Sequence, residues 1–156
     1  MRFTAPLETR KIVRKKDKKF LWLIKYKGNE HLWQVITPFR FYYDDRDVTK
    51  YLEVPLDYVT DLASVPFPFD AIYPDDGDHD QAAVAHDWAY QNRGDVVWHD
   101  LGTGTPPKKG VPMTREEQDQ MFKNGMKVLN VHPTKRFLFW KAVDGFGWVR
   151  YPKPKK

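Results

Sequence analysis

Side chains that can move protons or hold ions stand close together in Ala82-Ala83-Val84-Ala85-His86-Asp87-Trp88-Ala89-Tyr90. Histidine titrates nearest neutrality and is the commonest general base. A carboxylate is a hard oxygen ligand for a divalent cation such as calcium, and a phenol can donate to a carboxylate or an imidazole. The small apolar residues before His86 predict a helix over Asp80 to Gln91 that packs tightly on a neighbour, with Asn92-Arg93-Gly94 as its stop. Residues three and four apart share a helix face. His86 therefore stacks with Ala82, Ala89 and Tyr90, and Asp87 lies about 100° round, near Ala83 and Tyr90.

A second helix is signalled at Thr114-Arg115-Glu116-Glu117, a capping box in which Thr114 accepts from the amide three residues on and Glu117 reaches back. It runs to about Leu129 and is closed by Asn130 and then Pro133. Asp119, Phe122, Met126 and Leu129 make one apolar face on which Asp119 is the sole carboxylate. An unpaired buried charge costs several kcal/mol, so Asp119 needs a partner: His86, Tyr90 or the backbone of a neighbouring loop. Upstream, Tyr58-Val59-Thr60-Asp61-Leu62-Ala63-Ser64-Val65-Pro66 sets Thr60, Asp61 and Ser64 between apolar residues at a strand end. They either face a cleft or satisfy one another and a turn.

The candidate site is thus His86, Asp119 and Tyr90 as catalytic residues, Thr60, Ser64 and Arg115 as binding or supporting residues, and Asp61 with Asp87 as ligands of a divalent cation such as calcium. The bracing alternative makes His86 a core histidine tied to Asp119 or Asp61. Asp75-Asp76-Gly77-Asp78-His79-Asp80 resembles a calcium loop only superficially, because the ligand spacing ending in Glu is missing. Ser64 lacks a nucleophile-elbow context.

The elements that must position these residues read as strands first and helices later. Arg10–Arg14, Phe20–Tyr26, His31–Ile36, Phe39–Tyr43 and Tyr51–Pro55 predict an antiparallel meander, with Lys15–Lys18 and Lys27–Glu30 as turns and His31–Ile36 as hairpin partner of Phe20–Tyr26. Val96–Val111 is a Gly-, Pro- and Lys-rich loop with a brief strand at Val96–Trp98, and Thr134 to about Gly145 is a third helix rich in Phe and Trp. Phe137, Phe139, Trp140, Phe146 and Trp148 belong to core or to an assembly surface. The expectation is one α+β domain over 1–150, an N-terminal antiparallel β-meander followed by about three α-helices, with a basic Lys/Pro tail over 151–156.

Composition narrows the function classes. The 156-residue chain has no cysteine, which excludes disulfides, thiolate metal sites and a cysteine nucleophile. It has no apolar run of the roughly 20 residues that span a bilayer, and Met1–Arg14 lacks the apolar centre of a signal peptide. The net charge of +5 is uneven: basic residues crowd Arg10–Lys19 and Arg150–Lys156, and Asp70–Asp80 is acidic. Basic clusters bind nucleic acid, anionic lipid or acidic protein, or are simply solvated. No aromatic-interleaved RNA-recognition motif accompanies them.

Val59–Pro66, Ala82–Tyr90 and Thr114–Asp119 with Phe122 and Met126, in that order, resemble the three blocks of the phage and prophage domain family of unknown function numbered 1353. The resemblance covers about Tyr51 to Phe146 and implies a phage or prophage origin without implying an activity. The His-Asp-x-x-Tyr helix facing an Asp from an antiparallel helix is also similar to calcium-dependent secreted phospholipases of the A2 type. That similarity implies His86 activating water, Asp87 holding calcium, and Asp119 orienting His86 with support from Tyr90. The missing cysteines and missing glycine-rich calcium loop depart from that pattern. Two readings follow: a cation-assisted hydrolase of host-envelope material, or a virion structural or accessory protein (tail, neck or assembly) braced by the same residues. Its partners would be virion or envelope components, in the virion or the infected cell. Nucleic-acid binding through the basic N-terminal hairpin is a third, subordinate reading.

Overall fold

A computed structural model describes residues 1–14, 30–43, 49–60, 77–100, 102 and 104–150, with the side chains of 13, 14, 30, 31 and 146–150 excepted. The expected strand Phe20–Tyr26, both turns beside it, Asp61, Ser64 and the basic tail lie outside the described residues. Among the described residues six strands come first and three helices follow, with a short two-stranded hairpin between the first and second helices, so the architecture is α+β. The order is β1 (Arg2–Phe3), β2 (Thr9–Arg14), β3 (Glu30–Val35), β4 (Phe39–Tyr42), β5 (Lys50–Val54), β6 (Val59–Thr60), α1 (Asp80–Gln91), β7 (Val97–His99), β8 (Lys108–Lys109), α2 (Arg115–Val128) and α3 (Pro133–Arg150).

The expected meander is divided between two antiparallel sheets, β1-β4-β5-β7-β8 and β2-β3-β6. The chain leaves one for the other at Ile36-Thr37-Pro38, where proline cannot donate to a ladder. Among the described residues, β3 pairs with β2 from Thr9↔Val35 to Arg14↔Glu30 and with β6 at Trp33↔Thr60. The segment read as a loop with a brief strand holds a small hairpin, β7 with β8, that extends the larger sheet beyond β5.

Alternation along β4 and β5 turns Phe39, Phe41, Leu52 and Val54 inward, where they meet Val84 and Ala85 of α1 and Val97 of β7. Helix α1 is alanine-rich, which favours helix and allows close approach. It stops where expected: Asn92 caps it, its side-chain amide donating to the Trp88 carbonyl at 2.8 Å, and the chain turns left-handed at Arg93 and Gly94. Only glycine fits at position 94, because a Cβ there would lie 2.1 Å from the Met113 carbonyl oxygen.

Helix α2 opens on the expected capping box. It lies so near α1 that a Cβ at Gly125 would be 3.0 Å from that of Ala82. Helix α3 starts on Pro133, a favourable first helical residue, and continues past the expected end near Gly145 to Arg150. Its Phe139 stacks on the buried His79 ring at 4.4 Å, and Lys135 Nζ donates to Asp78 at 2.7 Å, fastening α3 to the start of α1.

Candidate functional site

Asp119 is 1% exposed, and its carboxylate is the meeting point of the site. Oδ1 lies 3.0 Å from His86 Nε2 and accepts from the Tyr90 hydroxyl; Oδ2 accepts from Arg115 Nη1 at 3.2 Å. The 3.6-residue period brings His86 and Tyr90 onto the α2-facing side of α1, and Arg115 and Asp119 stand one turn apart on α2. Arg115 Nη1 also donates to the Asp144 carbonyl of α3 at 3.3 Å, which ties the third helix to the network. The His86 ring is held between Tyr90 and Phe122, at centroid distances of 4.1 and 5.0 Å.

An ionised carboxylate only accepts hydrogen bonds. Neutral His86 must therefore carry its proton on Nε2, which leaves the Nδ1 lone pair as the basic atom. Burial pushes the His86 pKa below its usual 6.5, against the opposing pull of Asp119, so the ring is neutral at physiological pH. Burial, and then the hydrogen bond to Asp119, push the Tyr90 phenol well above its usual range, so it stays a donor. For Arg115 burial is the largest single influence and acts downward, but Asp119, Tyr90 and Glu116 together outweigh it and the guanidinium is held more firmly protonated than usual. Arg115 and Asp119 thus offset each other's charge, and His86 and Tyr90 complete the carboxylate's coordination without adding any.

Asp87, half-buried on the neighbouring stripe of α1, accepts from Thr60 Oγ1 at 3.3 Å. This contact places the end of β6 against the candidate helix, so Thr60 supports Asp87 rather than the Asp119 network. Its expected companion ligand Asp61, and Ser64, lie outside the described residues. Among the described residues no group of three or more His, Asp or Glu side chains could hold a metal ion. The expected cation pair is represented there by Asp87 alone.

The sequence brought His86, Tyr90, Asp119 and Arg115 forward, and the structure joins all four. The reach of Arg115 to a main-chain carbonyl on α3 had no sequence signal, because carbonyls are anonymous in a sequence. Gln118, fully buried with its amide donating to the Met113 carbonyl at 3.0 Å, was also not singled out. Its position directly before Asp119 in a helix with an apolar face was the available clue. A separate groove of about 540 Å³ lies on another side of α2, where Tyr43, Lys50, Met113 and Met121 are among its walls; none of the expected site residues lines it. No helix among the described residues is long and apolar enough to cross a membrane.

No curated protein and no solved structure matches the chain. The family described as "Protein of unknown function (DUF1353)" matches residues 33–143, a span that begins in β3, ends within α3, and holds His86, Tyr90, Arg115 and Asp119 together with Thr60 and Asp87. The chain belongs to that family.

Proposed function

We propose that this is a phage- or prophage-encoded hydrolase that cleaves an ester or amide of host-envelope material, with His86 as general base. The carrying observation is the His86 Nε2–Asp119 Oδ1 contact of 3.0 Å, with Tyr90 and Arg115 fixing the carboxylate. In this reading Nδ1 takes a proton from water as the water oxygen attacks the carbonyl carbon. Asp119 stabilises the imidazolium that forms, and His86 returns the proton to the leaving group as the tetrahedral intermediate collapses. Tyr90 and Arg115 are positioning residues that keep Asp119 aimed at Nε2. A divalent cation such as calcium, held by Asp87 with Asp61, would neutralise charge developing on the carbonyl oxygen.

The test is hydrolysis of isolated envelope lipid and murein fractions, with and without calcium. His86→Gln and Asp119→Asn should each lower turnover about 10²-fold or more. Tyr90→Phe, which keeps the ring and loses only the hydroxyl, should lower it less. Circular dichroism separates loss of activity from loss of fold. An inactive wild-type protein, or folded His86→Gln with full activity, sinks the proposal.

The near-complete burial of His86 (5% exposed) and Asp119 favours a second reading, a virion structural or accessory protein braced by this network. It predicts that the protein co-purifies with virions, and that the same substitutions lower the melting temperature with no activity to lose.

A further inference from the structure

Away from the buried network, α2 and α3 together present a face on which cations gather around the half-buried Trp140, beside the exposed Phe137. Lys123 Nζ lies 3.8 Å from the centroid of the Trp140 ring, and Lys141 Nζ lies 4.6 Å from it. Two ammonium groups therefore converge on one indole. Asp144 Oδ2, 3.4 Å from Lys141 Nζ, offsets only one of them. Lys127 stands exposed one turn along α2 from Lys123, and Arg136 is half-buried one turn before Trp140. Beside them Phe137 is 52% exposed, its ring centroid 6.3 Å from that of Trp140.

Like charges held together are relieved by an anion, and an exposed phenyl ring is relieved by hydrocarbon. A molecule carrying both next to each other is an anionic phospholipid in a bilayer surface. We propose that this α2–α3 face docks on anionic bilayer surfaces, with Lys123 and Lys141 meeting headgroup phosphates and Phe137 entering the acyl boundary. Lysine stems can lie along the apolar boundary while their ammonium groups stay at the headgroups. Aromatic side chains flanked by lysines are the usual equipment for such a position. The proposal stands apart from the hydrolase reading, because docking needs neither His86 nor Asp119.

Co-sedimentation with vesicles of ether-linked phosphatidylglycerol and phosphatidylcholine tests it, since ether lipids offer no acyl ester to cleave. Binding is expected to vesicles containing phosphatidylglycerol and not to pure phosphatidylcholine, and to weaken as salt rises. Lys123→Gln with Lys141→Gln should reduce partitioning about tenfold or more. Phe137→Ser should reduce it several-fold; the residue is exposed, so the fold should survive, and an unchanged melting curve would verify that. The proposal is overturned if the phosphatidylglycerol vesicles do not bind. It is equally overturned if binding survives the patch substitutions, or if a single-stranded oligonucleotide displaces the protein from the vesicles.

Discussion

Asp119 receives hydrogen bonds from a phenol, an imidazole and a guanidinium while almost out of contact with water. Such a carboxylate is costly to orphan, because a buried ion pair broken on one side costs about 3–5 kcal/mol. The His86 ring it holds is buried in the neutral form, which gives acid sensitivity a definite sign. In the unfolded chain the ring binds its proton near pH 6.5; in the folded chain it does so only at lower pH. Below pH 6.5 the unfolded state therefore takes up more protons, so the stability His86 confers is full above that value and drains away as pH falls toward the folded value. The slope should reach at most about 1.4 kcal/mol per pH unit. Thermal melts from pH 8 to about pH 5 should show it for the wild-type protein and not for His86→Gln. Asp78, its pKa lowered chiefly by the hydrogen bond from Lys135, loses its contribution only below its usual 3.8, so the two windows separate. A wild-type profile parallel to that of His86→Gln would refute the assignment. At this scale the sequence was informative because Asp119 stood alone on an apolar face and had to find a partner. It said nothing of which oxygen meets which donor, a matter of helix spacing rather than residue type.

The helices set that spacing. Ala82 on α1 and Gly125 on α2 allow the close approach across which His86 and Asp119 meet. Gly125→Ala would gain helix propensity of up to about 1 kcal/mol. The new methyl would meet a Cβ fixed on the neighbouring backbone, however, and α1 and α2 would have to part. We expect net destabilisation of about 1 kcal/mol, partly rescued by Ala82→Gly, with the doubly substituted protein melting above Gly125→Ala alone. A Gly125→Ala protein as stable as wild type would show that the helices are not in tight contact there. The boundaries of α1 and the capping box of α2 were legible because alanine runs, caps and stop residues act locally. Strand β7 was legible at Val96–Trp98, but its partner β8 was not, since two lysines among glycines and prolines carry no strand signal of their own. They are in a strand because β7 offers an open edge.

For the whole molecule, the α+β order was readable and the partition of strands into two sheets was not. Alternating residues declare a strand but not its partner, and β2 meets β3 across a long intervening segment. Both sheets still feed one core: Val35 and Tyr58, at the ends of the smaller sheet, pack in the same cluster as Phe39, Leu52 and Val97 of the larger and Val84 of α1. The polar network is distributed in the same way, with His86 and Tyr90 before the β7–β8 hairpin and Arg115, Asp119 and Asp144 after it. That layout makes the protein divisible. Cut near Gly104, whose surroundings are open within 4 Å, the chain yields two pieces, each holding half of the dyad. Neither piece alone can pair His86 with Asp119. Mixed or co-expressed, they should regain the acid-dependent melting that follows from burying His86 between the helices, while a C-terminal piece paired with an N-terminal piece bearing His86→Gln should not. The site would then serve as a reporter of its own reassembly.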